Sequence, residues 1–292
     1  MNRKSDIAGL VAEAEARGCR IWDIVMEEEE KNHGSTGQQL REKMRLYWDV
    51  MRRSVNSGIE PGNRSLSGLV GAEGALLTGY LSSGRTLSGQ STVMAAARAM
   101  GAGIVNASMG KVVAAPTAGS CGILPAVLMT VAENTGADEE KIIDALFTAA
   151  GIGKIIDEGA STSGARAGCQ AECGAAAGMA AVAAVEMAGG TPRQAANAGA
   201  LALKNIIGLV CDPVAGLVEI PCVKRNAMGA AIALLAADMA LAGVESKIPV
   251  DEVISAMREV GDMLPEALRE TALGGLANTP AAREIQKKIS KM

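Results

Sequence analysis

Between Thr36 and Asn56, Leu40, Met44, Tyr47, Trp48, Met51 and Val55 recur at three- and four-residue intervals, and Arg41, Glu42, Arg45, Arg52 and Arg53 fill the positions between. That spacing lays one apolar stripe along an α-helix, and Gly58 and Pro61 predict its end. An earlier amphipathic stretch bearing Glu13, Glu15 and Arg17 predicts a first helix, capped by Ser5 and finished before Gly18. Asp138 stands ahead of Ile142, Ile143, Leu146 and Phe147 as a further cap. Thr191-Pro192 and Thr279-Pro280 each pair a capping hydroxyl with a proline suited to the first helical turn. The helix from Thr191 is expected to continue through Leu201–Ile207 to Gly208. Ala175–Met187 and Ala227–Leu241 are apolar nearly all round, which predicts interior helices. No segment sustains a strict apolar/polar alternation. Gly208-Leu209-Val210 and Leu217–Ile220 have the length of short strands, but their Gly and Pro neighbours favour loops that carry ligands. The expected fold class is all-α, one domain over residues 1–292, with a more polar part over 1–58 and core and C-terminal helices over 59–292.

Composition sharpens this picture. Aromatic residues are only 2% of the chain, so the core must be built from Ala, Leu, Val, Ile and Met, whose small members let helices approach closely. A net charge of −4 without Lys/Arg clusters argues against a nucleic-acid partner. Val112–Ala132 carries no charge and has bilayer-spanning length. Pro116 and Pro125 interrupt it, and Thr117–Gly122 reads as a loop, so no membrane span is expected. Met1–Asp6 does not read as a signal peptide, which implies a cytoplasmic protein. In that compartment six cysteines suggest metal or catalysis more than disulfides.

Three of those cysteines lie in two glycine- and proline-flanked segments: Gly168-Cys169-Gln170-Ala171-Glu172, and the run from Cys211-Asp212-Pro213 to Ile220-Pro221-Cys222. Thiolates are soft ligands, and three can hold an iron–sulfur cluster with one iron left open as a Lewis acid. The alternative is inert buried thiols. Cys173 is four residues from Cys169, on the same face if the segment is helical, and reads as a small packing residue. Cys19 sits at a helix end, and Cys121 reads as a filler residue. Pro116-Thr117-Ala118-Gly119-Ser120-Cys121-Gly122 offers hydroxyls and flexible amides able to cradle a carboxylate or phosphate. With Asn106 and Lys111 upstream, a pyridoxal-phosphate site with Lys111 as Schiff base is a rival reading. Arg225 can clamp a substrate carboxylate or neutralise a charged cluster. Glu172 and Glu219 can be bases or supports, and His33 reads as a solvated loop residue.

The two cysteine segments, Arg225-Asn226 and Ala115-Pro116-Thr117-Ala118-Gly119-Ser120 resemble the α chain of bacterial iron–sulfur-dependent L-serine dehydratase, from about Ile21 to Ile285. The resemblance implies an all-helical catalytic part and a [4Fe–4S] cluster on Cys169, Cys211 and Cys222. It implies a lyase that dehydrates and deaminates L-serine to pyruvate and ammonia, as in amino-acid degradation and gluconeogenesis. Asn106, Thr117 and Ser120 are the expected substrate contacts, and Lys111 and Arg225 possible electrostatic partners. The family's other half carries Ser-Ser-Ser-His-Thr and Gly-His-x-Thr-Asp-like segments, absent here, so a β subunit is expected to supply the base. Higher oligomers of α–β pairs are expected in turn. Some single-chain members end in a cysteine that occupies the open iron; this chain ends at Met292, and that device is not expected. L-Threonine or L-cysteine β-elimination, and a non-catalytic helical subunit with a structural metal, are the alternatives.

Overall fold

The computed structural model describes residues 6–291. Among them thirteen α-helices follow in order: α1 (Ile7–Arg17), α2 (Ile21–His33), α3 (Gly37–Gly58), α4 (Glu73–Leu81), α5 (Gln90–Ala107), α6 (Ile123–Thr135), α7 (Glu139–Ala160), α8 (Gly164–Ala167), α9 (Ala175–Met187), α10 (Pro192–Lys204), α11 (Cys222–Leu241), α12 (Val250–Met263) and α13 (Pro280–Ile289). No strand is formed among the described residues; Cys211 and Arg269 make one isolated bridge. The fold is all-α, as the periodicity predicts.

Capping chemistry sets the boundaries where polar groups satisfy the free amides of a first turn. Thr36 takes the Gln39 amide, Asp138 the Lys141 amide, and Thr191 and Thr279 cap α10 and α13. The expected cap Ser5 lies outside the described residues; Asp6 holds the N-cap position of α1, and Gly18 closes it in the left-handed conformation. Two expectations need correction. His33 does not lie in a loop but in α2, which forms because Ile21, Ile24 and Val25 recur on one buried face. His33 is its exposed last residue, with Nε2 3.2 Å from Glu29. Helix α10 stops at Lys204, short of Ile207, and residues 205–208 form turns.

Helix α9 is the axis of the molecule. All thirteen of its residues are buried, and it packs against α6, α7, α10 and α11. A helix apolar on every side has no stable place but an interior. Apolar residues of α1, α2 and α3, among them Ile7, Ile21 and Trp48, join the same core. No helix among the described residues is long and apolar enough to cross a membrane.

One carboxyl breaks the apolar surface of α9. Glu186 is 8% exposed. It accepts the Ile21 amide at 2.5 Å and the Thr148 hydroxyl, tying the start of α2 and the middle of α7 to the axis. Burial raises its pKa above the ordinary carboxylate range, with the Thr148 and Ile21 donors opposing. A carboxyl whose folded pKa is raised contributes most below its unfolded value of about 4.3 and loses that contribution as pH rises through the folded value. Glu186→Gln removes this titration. Melting temperatures of the two proteins should therefore converge near pH 4 and shift in favour of Gln as pH rises to 8. Parallel curves would show that Glu186 does not titrate in this interval.

Candidate active site

Four loops meet at one end of α9 and α11. The first is 115–122, leading into α6. Thr117 caps its short 3-10 turn, with Thr117 Oγ1 and Ser120 Oγ 3.1 Å apart. Gly122 crosses so close to α5 that a Cβ there would run into the Ala99 backbone. The second is 161–174, which ends in a π-helix over Gln170–Gly174 directly after Cys169. Such wide turns recur at functional sites. The third is the Cys211–Cys222 loop, and the fourth is 264–278.

Backbone bonds lock these loops together. Gln170, fully buried, donates from its amide to Leu209 O, from Nε2 to Met257 O, and accepts the Gly208 amide at Oε1. Cys211 N donates to Leu268 O at 2.9 Å and Cys211 O accepts from Glu270 N at 2.7 Å. Asp212 accepts the Leu276 amide and pairs with Arg225 at 2.8 Å. Asn226, fully buried on α11, accepts the Gly122 amide at 3.0 Å and donates to Gly119 O at 2.7 Å and to Cys222 O at 3.0 Å. Glu219 accepts from both Ser65 and Ser67, at 2.6 and 2.7 Å, which fastens the segment before α4 to the cysteine loop.

The structure brings Cys169, Cys211 and Cys222 into one neighbourhood. Burial pushes the Cys222 thiol up to about 12 and raises Cys211 further, and each lies in the field of the others and of Glu172. Cys169 is held below the usual thiol range by its hydrogen-bond contact with Cys173, the two sulfurs 3.4 Å apart, and by the nearby Arg225 guanidinium. The same hydrogen bond, with burial, raises Cys173. Cys169 precedes the helical stretch into α9, and Cys222 opens α11, so both sit where helix dipoles favour negative charge.

Glu172 stands between the thiols and the hydroxyl loop. Its Oε1 accepts from Thr117 Oγ1 at 2.8 Å, and its Oε2 lies 3.8 Å from Cys211 Sγ. Burial raises its pKa, with the Thr117 hydrogen bond opposing. Gly164 faces this pair: a Cβ there would come 3.3 Å from Cys211 Sγ and 2.5 Å from Glu172 Oε2.

Other expected residues fall differently. Ser120 is fully buried and supports Thr117, leaving Thr117 as the hydroxyl with partial exposure. Arg225 commits donors to Val210 O at 2.8 Å and to Asp212, so it braces the cysteine loop while its charge reaches Cys169. Asn106 lies near the end of α5, half-buried, and its side chain makes no hydrogen bond to the 115–122 loop. Lys111 is exposed and lines an apolar groove of about 670 Å³ with Tyr47, Val50, Pro116 and Leu124; none of the thiols lines that groove. Cys121 is buried against Ala102 O, and Cys19 lies between α1 and α2. The clamping roles of Asn226, Asp212 and the Ser65–Glu219–Ser67 contact were not foreseen. Glu219 reads in the sequence as a base or support, and Asn226 stands beside Arg225 in the first turn of α11.

These residues fit an iron–sulfur cluster. Three soft donors stand in one cradle kept open at Gly164, with a cation beside the most acidic thiol. No three His, Cys, Asp or Glu among the described residues gather tightly enough for a single metal ion. A cluster makes no such demand, since each thiolate binds its own iron.

Residues 16–277 match the family model described as serine dehydratase alpha chain. The chain is 49% identical over 269 residues to the probable L-serine dehydratase alpha chain of Bacillus subtilis, covering 92% of this chain and 89% of that one. It is 46% identical over 275 residues to the L-serine dehydratase alpha chain of Peptoniphilus asaccharolyticus, covering 94% of each. The L-serine dehydratase of Streptomyces coelicolor is 39% identical over 247 residues, which make up 82% of this chain but 53% of the longer relative. On the extent and identity of these matches, the chain belongs to the L-serine dehydratase alpha-chain family.

Proposed function

We propose that this chain, paired with a β subunit in the cytoplasm, converts L-serine to pyruvate and ammonia, and that it does so with a [4Fe–4S] cluster on Cys169, Cys211 and Cys222. The observation that carries the reading is the placement of Glu172, one oxygen on the Thr117 hydroxyl and the other against the Cys211 sulfur. A substrate-binding loop and a cysteine loop thereby face each other across one carboxyl. The names of the relatives supply the substrate and the pairing of chains.

When bound, the cluster would supply an iron without a protein ligand, a Lewis acid able to weaken the bond from carbon to the β-hydroxyl. The residues of this chain bind and orient. Thr117 donates its hydrogen to Glu172, so its oxygen lone pairs are left to accept from the ammonium of serine. Ser120 and Asn226 hold the loop in that pose. Arg225 places a fixed positive charge beside Cys169, which favours an anionic cluster and the carboxylate end of the substrate. Loss of the α-proton and of hydroxide from serine leaves aminoacrylate. Its imine tautomer takes up water and releases pyruvate and ammonia. No histidine of this chain reaches the site, since His33 lies at the end of α2, and we assign the base to the β subunit.

Three outcomes follow from this reading. Anaerobic reconstitution should give a broad cluster absorption that shifts as L-serine is titrated in; a spectrum indifferent to serine with β present would assign the cluster to structure or electron transfer. The reconstituted chain alone should turn over little serine until β is added, and full activity without β would remove the base from that subunit. Thr117→Val deletes a hydrogen bond to a charged group, of about 1.5–3 kcal/mol. It should lower kcat/KM roughly 10- to 100-fold with iron content unchanged. Iron loss in that variant would make Thr117 a support of the cluster cradle instead.

A further inference from the structure

Cys173 has no part in the reaction described above, yet its sulfur lies 3.4 Å from that of Cys169. Both thiols are 2% exposed. The π-turn over Gln170–Gly174 joins the two residues and holds their sulfurs in contact, about 1.4 Å beyond a bonded S–S distance. Cys211 Sγ lies 3.8 Å from Glu172 Oε2, and Cys121 Sγ lies 3.8 Å from Ala102 O. Among the described residues no other two cysteine sulfurs are paired in this way.

We infer that Cys169 and Cys173 form an oxidative modification site, a vicinal dithiol that a peroxide closes to a disulfide when the cluster is absent. One thiolate attacks the peroxide oxygen, breaking the O–O bond and leaving a sulfenic acid and one water. The second thiol sulfur displaces that hydroxyl as a second water and forms the S–S bond. Two thiols lose two hydrogens in all, and one peroxide is reduced to two waters. The bridge shelters Cys169 from oxidation to sulfinic acid, which thiol reductants do not reverse. It also removes Cys169 from the ligand set, since a sulfur in a disulfide has no thiolate to offer iron. That exclusion rests on the cluster reading above; the bridge does not. Cluster and disulfide thus become alternative states of one cysteine, interconverted through a dithiol reductant.

Peptide mapping of the full, metal-stripped chain after one equivalent of hydrogen peroxide tests the bridge. The tryptic peptide 167–193 contains Cys169 and Cys173 as its only cysteines, and Glu172 offers a cleavage point between them. The peptide should lose the mass of two hydrogens, and its halves should stay joined after cleavage at Glu172 until dithiothreitol is added. Peptide 205–224, with Cys211 and Cys222, should remain reduced. Bridges from Cys169 to Cys211 or Cys222, or two free thiols in 167–193, would overturn the proposal. In Cys173→Ser and Cys173→Ala, Cys169 should instead gain oxygen under the same peroxide; survival of Cys169 in both variants would overturn the shelter. The oxidised chain, offered a preformed cubane with aromatic-thiolate ligands and no other reductant, should take up no iron, and should do so fully after reduction and removal of the reductant. Equal uptake before and after would overturn the exclusion. No uptake by either form would count against the cluster reading and leave a mapped bridge standing.

Discussion

The side-chain amide of Asn226 is completely buried, and its oxygen and nitrogen are both bonded to backbone: the Gly122 amide, the Gly119 carbonyl and the Cys222 carbonyl. A buried amide left unpaired costs on the order of 1–3 kcal/mol, so the arrangement that satisfies it is strongly preferred. The same three bonds fix the hydroxyl loop against the first turn of α11. Thr117 then reaches Glu172, Glu172 reaches Cys211, and Arg225, one residue before the amide, closes on Asp212.

Such a clamp works only on a rigid frame. Alanine and glycine supply it by letting α9 run through the middle of the molecule with neighbours on every side. Small side chains have little rotamer freedom to lose on burial, and closely packed helices deform little. The loops therefore need no rigidity of their own. They inherit it from α5, α9, α11 and α12, to which Gly122, Gln170, Asn226 and Met257 attach them.

Much of this was legible in the chain. Thr36, Asp138, Thr191 and Thr279 announce helix starts because capping is a local interaction, settled within four residues. The interior helices were legible because an all-apolar helix has one possible environment. Helix α2 was obscured by Glu27–Glu30, whose charges mask the burial of Ile21, Ile24 and Val25. The π-turn at Gln170–Gly174 leaves no periodic signature over five residues. At the site, the cysteines and the Thr117 loop declared themselves by residue type. What joins them did not, because Glu172 to Thr117 spans 55 residues, Glu219 to Ser65 spans 154, and no local pattern encodes such a meeting. Ser120 shows the complementary limit: its hydroxyl suggested a substrate contact, but only its complete burial shows that it serves its neighbour.

The bracing of Cys211 also bears on biosynthesis. Its amide and carbonyl are bonded to Leu268 and Glu270, and the adjoining Asp212 takes the Leu276 amide. Chains leave the ribosome from the N-terminus, and early segments fold first. The helices around α9 can therefore assemble while Cys211 still lacks its brace, and the pocket closes only after residue 276 has emerged. A nascent chain would present its thiols on an open loop, and the finished chain on a fixed one. Timing of synthesis thus sets the earliest moment at which the thiols can stand in their finished arrangement.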